Sequence, residues 1–467
     1  TGMDCVAAEY QTVLWDKYHL LYLDGAYGWD QFDENKVSSR VMDYVAGNLS
    51  ETGENSVFRT KLCEASLLEY MFATDNDGTG MLRQASAYMK RHLPEDVAKK
   101  MYQQYQDGKK AEADGKTEYS VEDADQAIIN AKKEKEQADQ NDKEGAPQEE
   151  AGEKNIQDNE NNHAQDAEDG KKESPIQIVL QLKQNALLGM TVSDMSSLSA
   201  KAVEAKDMVS NRQCETGRYD MKKAEKMNVS DRVMVLEYIG KHFSDYTEPG
   251  KGDLTYEMEY ILCGKDTDKK NLESSIERLM RMREAANVAH IIADREKLNQ
   301  TLMIATSLAG FSGNPAVVKI VQIGVVAAWA YVESILDLRT LLSGGKISLI
   351  KSAAEWTTDL KKLGEIVTGE GKARECKNGL SYQAYIKQLL FAMKEKKMAY
   401  RMMDIMELAM QKEQNGKNAR MDHMIDNMIC ELRFEAKPLF AKRSFYGDME
   451  KGGYTFFKRQ KLSYINE

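Results

Sequence analysis

Asp75-Asn76-Asp77-Gly78 carries the alternating oxygen side chains and glycine of a calcium loop. Such a loop needs an oxygen ligand two positions before Asp75 and a closing carboxylate at its twelfth position. Ala73 and Gln84 stand there, so the segment reads as a tight turn with an Asp cap for a helix starting near Met81. His290 and Asp294 lie four apart on one predicted helix, with Glu284 nearly two turns earlier. A metal or acid–base site would need further groups converging on them. The other histidines (His19, His92, His163, His242, His423) show no helical spacing to His290, so a polar pair at a helix–helix boundary is the plainer reading. No G-x-S-x-G, H-E-x-x-H or phosphate-binding loop occurs, and Gly344-Gly345 and Gly452-Gly453 fall at a helix end and in a hairpin turn. Cys5, Cys63, Cys214, Cys263, Cys376 and Cys430 form no C-x-x-C pair, so zinc spacing is absent. Free, buried thiols are expected, although an even count in an exported protein permits disulfides. The sequence thus assigns no catalytic, cofactor-binding or metal-ligating residue, and the expectation is a protein that is not an enzyme.

Two segments suit binding instead. Lys437–Lys461 holds Lys437, Lys442, Arg443, Lys451, Lys458, Arg459 and Lys461 against only Asp448 and Glu450, with Phe440, Phe445, Tyr446, Phe456 and Phe457 interleaved. Charge plus stacking on this pattern suits an anionic polymer such as a wall polyanion, through Lys437, Lys442, Arg443, Lys458, Arg459 and Lys461. The alternative is a strand pair with one apolar and one solvated face. At the other end, Val6, Tyr10, Val13 and Leu14 form an apolar stripe at helical spacing. It reads either as the continuation of a longer helix meeting a partner helix, or as an ordinary surface helix.

The elements that hold these segments follow from composition and periodicity. The chain has 467 residues, 64 basic and 75 acidic, for a net charge of −11. That acidic balance argues against nucleic acid. Asp107–Ser174 carries 21 acidic and 10 basic side chains, so it accounts for the whole −11. Its only large apolar residues are Tyr119, Val121, Ile128, Ile129 and Ile156, too few to offset roughly 1–2 kcal/mol of backbone ordering per residue. It reads as a disordered acidic linker, with a solvated helix over Ser120–Gln140 capped by Ser120 and Asp123. This sets an N-terminal helical part at 1–106, the linker at 107–174 and a C-terminal part at 175–467 that packs with 1–106 into one body.

Amphipathic helices are expected at 4–18, 34–49, 81–105, 233–243, 268–300, 315–342 and, broken near Lys394, 381–412. Lys61–Ala73 fits a helix or a strand. Alternation predicts strands over Leu254–Cys263, Met428–Lys437 and Tyr454–Lys461. Ile320–Val332 is too short to span a bilayer and reads as a buried core helix. The fold class is α+β, helix-dominated, with long helices on a small antiparallel sheet.

Ala8-Glu9-Tyr10, Leu14-Trp15-Asp16-Lys17-Tyr18 and Leu23-Asp24-Gly25-Ala26-Tyr27-Gly28 resemble the segment after the membrane helix of TadE/TadG-like exported proteins of Gram-positive, mainly clostridial, Tad-type pilus clusters. A large uncharacterised family found beside those clusters is similar at Ala73-Thr74-Asp75-Asn76, Tyr260-Ile261-Leu262-Cys263-Gly264-Lys265, Ala327–Ser334 and Gly344-Gly345-Lys346. The resemblance implies a pilin-like N-terminal helix and an ectodomain on the extracellular face of the envelope. A single N-terminal membrane helix outside this sequence would tether it. It also implies a structural or accessory role, similar to a minor pilin, with other pilus or secretion subunits as partners. It brings no known active site. A cell-surface adhesin or wall-binding module is the alternative.

Overall fold

The computed structural model describes residues 13–24, 31–53, 58–116, 119–144, 174–219, 227–364, 371–413, 417–438 and 454–464. In chain order the helices are α1 (Val13–Tyr18), α2 (Glu34–Gly53), α3 (Thr79–Lys90), α4 (Glu95–Asp114), α5 (Val121–Glu144), α6 (Pro175–Lys183) and α7 (Leu187–Thr191). There follow α8 (Val229–His242), α9 (Glu257–Cys263), α10 (Asp268–Ala293), α11 (Arg295–Ala309), α12 (Pro315–Leu342), α13 (Tyr382–Phe391) and α14 (Glu395–Gln411). The strands are β1 (Leu23–Asp24), β2 (Phe58–Phe72), β3 (Met424–Pro438) and β4 (Tyr454–Ser463). The α+β expectation holds: helices dominate and the sheet is small and antiparallel. A boundary falls at 105/106, beside the one expected at 106, but none falls at 174. One compact unit gathers 1–105, 199–275 and 386–467, and a second gathers 106–198 and 276–385.

In the first unit β3 is the central strand, with β2 on one side and β1 and β4 sharing the other. Met428, Cys430, Leu432 and Phe434 alternate onto its inner face, as period-2 burial requires, and meet Leu62, Leu67, Tyr70 and Phe72 of β2. Val37, Val41 and Val45, one turn apart on α2, cover that face. The β2–β3 pairing shifts register at Leu62/Glu64, Leu67/Glu69 and Met71/Phe72. Each irregularity resets the alternation, which is why Cys63, Leu67, Leu68 and Met71 imitate a helical stripe in the sequence.

Leu254–Cys263 is a correction. Residues 257–263 form α9, not a strand, ended by Gly264 in the left-handed region (φ 65°) with its N–H on the Tyr260 carbonyl. The glutamates that suggested a solvated face are buried: Glu257 accepts from Ser244 N–H and Glu259 from Tyr246 N–H, each at 2.9 Å. These carboxylates serve a neighbouring turn, so their polarity did not mark solvent.

In the second unit α12 is the centre, capped by Asn314 with Pro315 at its first position. It spans 28 residues, and its most apolar window has a mean hydropathy of 1.7, long and apolar enough to cross a membrane by those measures alone. From Val321 to Leu342 almost every residue is buried, Glu333 and Asp337 included, which is the pattern of a core helix. The acidic linker is the second correction. Residues 107–114 continue α4, and α5 lies on α12 with Val121, Ala124, Ile128 and Ala131 buried. Half of the stripe is alanine, which a tally of large apolar groups overlooks. Its contact is close: a Cβ on Gly324 would sit 2.1 Å from that of Ala124. The expected cap at Ser120 is present, with Asp123 N–H on Ser120 Oγ at 3.1 Å and Ser120 N–H on Asp123 at 2.8 Å. The rest of the predicted linker, 145–173, lies outside the described residues.

Candidate functional site

The predicted binding strand is β4. Its pairing with β3 sets Phe456 opposite Phe434, Lys458 opposite Leu432, Arg459 opposite Glu431 and Lys461 opposite Ile429. Phe434 is buried, yet the Phe456 ring stacked on it at 5.1 Å remains 43% exposed, and Phe457 is 63% exposed. The apolar floor of the sheet therefore continues out to β4, where the side chains are open to solvent. Lys458, Arg459 and Lys461 are exposed there, and no acidic residue lies between Tyr454 and Ser463. Arg459 donates to Glu431 at 2.9 Å, and on the same sheet Arg433 pairs with Glu64 at 3.3 Å. Of the other basic candidates, Lys437 is the last residue but one of β3, opposite Arg59, while Lys442 and Arg443 lie outside the described residues.

β4 is flanked by a strand on one side only among the described residues. The far side of the sheet differs. Tyr70 N–H donates to the Arg218 carbonyl at 2.7 Å, and the Arg218 side chain donates to the Leu67 and Leu68 carbonyls of β2. A connecting segment thus covers part of that edge.

The N-terminal stripe divides. Val6 and Tyr10 lie outside the described residues, and Val13 starts α1. Leu14 is 1% exposed and Tyr18 fully buried in the core of the first unit. Tyr238 donates to the Tyr18 carbonyl at 2.6 Å, and His242 Nδ1 lies 2.9 Å from the Lys17 carbonyl. Leu14 faces this core, so it is not available to a partner helix.

A cleft of about 740 Å³ opens elsewhere in the first unit, between α14 and the segment 202–212. Arg212 binds Glu407 through both guanidinium nitrogens and reaches Asp422 at 2.7 Å. Asp422 also accepts from Arg420 and from Glu215 N–H at 2.9 Å. Burial alone would raise Asp422; the Arg420 hydrogen bond, the Glu215 amide and Arg212 outweigh it and hold the carboxyl well below the usual carboxylate range. Asp404, one turn before Glu407, is raised by burial although Ser210 N–H and the Tyr260 hydroxyl donate to it. Burial, then the Asp422 charge, pushes the Cys214 thiol up to about 11. A thiol held protonated is a poor nucleophile. Two arginines facing Glu407 and Asp422 leave a balanced set whose work is to tie the 207–215 segment to α14 and the start of β3.

The second unit holds a buried network that the sequence did not reveal. Arg283 and Lys351 meet Asp337 and Glu333, all with side chains at 0% exposure. Arg283 also donates to the Ser348 and Leu349 carbonyls and to the Tyr385 hydroxyl. Glu333 accepts the amides of Thr357 and Thr358, and Asn287 donates to Ser334 and Asp337. His290 stacks on Trp356 at 4.9 Å beside this network. Burial, then Lys297, lowers its pKa, so the ring is neutral at pH 7. Asp294 caps α11 by accepting from Glu296 and Lys297 N–H and pairs with Lys297 at 2.7 Å, so its carboxylate is engaged by the start of α11.

The turn at Asp75 is present, but its carboxylate accepts Phe72 N–H at 2.8 Å and Gly217 N–H at 3.0 Å, while Gly78 occupies the N-cap of α3. Asn76, Asp77 and Gly78 all take positive φ. Among the described residues no group of His, Cys, Asp and Glu is arranged to hold a metal ion. Cys63, Cys214, Cys263, Cys376 and Cys430 are free thiols.

A family described as a family of unknown function, DUF5702, matches residues 165–436, more than half of the chain. The chain belongs to this family. The DUF5702 match takes in α12, the buried network and the Arg212–Glu407–Asp422 cluster, and it ends within β3, before β4. No curated protein and no solved structure matches the chain.

Proposed function

We propose that the protein is a non-catalytic component of an exported, Tad-type pilus or secretion assembly, and that it docks a protein partner through β4. One observation carries the docking role: a ten-residue strand with a single strand neighbour among the described residues, an exposed Phe456-Phe457 pair and a cationic run free of acid. Rigid, partly exposed aromatics beside an arginine are enriched at protein interfaces. The Tad-type setting rests on the sequence resemblance, as does a tether through an N-terminal membrane helix at the extracellular face of the envelope. The test is fractionation of cells producing the full-length gene product, with external protease and isolated surface fibres. Protease access and co-fractionation with fibres are expected; a protein found only in the cytosol overturns the reading.

A wall-binding module is the second reading, favoured by Lys461 on the same face as Phe457. The ion pairs Arg459–Glu431 and Arg433–Glu64 reduce the cationic excess of that face and weaken this reading against the first.

A further inference from the structure

The outer edge of β4, from Thr455 to Gln460, is where a chain can be added to this sheet. Backbone N–H and C=O groups along a strand edge pair readily with another extended chain, so folded proteins cover or charge their edges. Here the two sides of the sheet are treated differently. The Arg218 segment covers β2 at Leu67–Tyr70, while β4 has no second strand among the described residues and carries Lys458 and Arg459 instead. Cations alone would suffice as protection. The exposed phenyl rings of Phe456 and Phe457, on opposite faces of the strand, supply what protection does not need: apolar area on both faces for an incoming strand.

We infer that this edge binds an extended, acidic segment of a partner polypeptide by strand addition. The inference rests on the reading of β4 as the docking element. Charge selects the occupant. Pairing β4 along its whole length with a second copy in antiparallel register sets Lys458 directly opposite Arg459, and like charges so placed repel. A strand that sets Glu or Asp opposite Lys458 meets it favourably, and its alternate, apolar residues lie on the other face and reach Phe457. Backbone pairing would give affinity and the alternating side chains selectivity.

The test uses the whole chain and an acetylated, amidated seven-residue peptide alternating glutamate with valine and tyrosine. Three measurements follow: peptide affinity, affinity for the same peptide N-methylated at alternate residues, and amide exchange over 455–460. Binding is expected to slow exchange there and to weaken roughly tenfold on N-methylation, on Lys458→Glu and on Phe457→Ser. Unfolding curves of the two variants establish that they are folded. Equal affinity for the parent and N-methylated peptides, with displacement by inorganic polyphosphate, would mean attraction by charge alone and would overturn strand addition. So would absence of peptide binding. Failure of fibre co-fractionation with peptide binding intact removes the assembly reading and leaves the edge site standing. The reverse pattern removes the edge site only.

Discussion

The ammonium of Lys351 lies 2.5 Å from Asp337 Oδ1, and neither side chain touches solvent. Lys351 also pairs with Glu333, one turn earlier on α12, while Arg283 takes the second Asp337 oxygen. The network is neutral as a whole, so its parts are costly to remove singly. Lys351→Met leaves two carboxylates sharing one guanidinium in a dry interior and is expected to cost about 3–5 kcal/mol. Urea unfolding measures this. Adding Glu333→Gln to Lys351→Met is expected to restore part of the loss, because the replaced carboxylate no longer needs a counter-charge.

Gly324 and Ala124 fix how closely α5 approaches α12. Gly324→Val is expected to destabilise by about 1–3 kcal/mol through overpacking. Faster amide exchange along Val121–Ala131 would accompany it. Unchanged exchange there would show that α5 does not depend on this contact.

Burial, opposed by the Lys17 carbonyl, lowers His242 to about 4. The folded state binds its proton less readily than the unfolded chain, whose histidine titrates near about 6.5. Stability is therefore present above that value and falls as pH drops from about 6.5 towards 4. In His242→Gln, which keeps a side-chain N–H for the Lys17 carbonyl, the slope of unfolding free energy with pH across that window is expected to flatten.

Asp422 has the opposite sign. Its folded pKa is depressed, so its contribution is complete above the unfolded value of about 4 and disappears as pH falls below it. Asp422→Asn is expected to lower stability at pH 7 and to reduce the loss on further acidification, read from urea midpoints at the two pH values.

Periodicity made much of this legible. The caps at Ser174, Ser120 and Asn314, the break before Glu395, the alternation of β3 and the buried centre of α12 all follow from local residue chemistry. Glu257 and Glu259 misled because a polar residue every second position looks like a solvated face, whereas these two satisfy amides from Ser244 and Tyr246. The helix at α5 was legible from its Ser120 cap, but its burial was not, because Ala124 and Ala131 count for little until Gly324 lets them approach. The Arg283–Asp337–Lys351–Glu333 network joins residues up to 68 positions apart. No spacing rule marks it, although Glu333 and Asp337 inside an apolar helix were the available signal. The exposed Phe456-Phe457 pair was legible as a basic, aromatic segment. Its place beside a single strand among the described residues was not, since that depends on how β4 pairs with β3.

Photo-crosslinking in intact cells tests whether β4 docks an acidic, extended partner. A photoreactive residue replaces Phe457 on β4 or, as a control, Lys61 on β2, in the full-length protein. Crosslinks are expected from position 457 alone, to an acidic segment of a surface-fibre subunit identified by peptide mapping. Equal crosslinking from both positions, or none from 457 in cells whose fibres contain the protein, would contradict it.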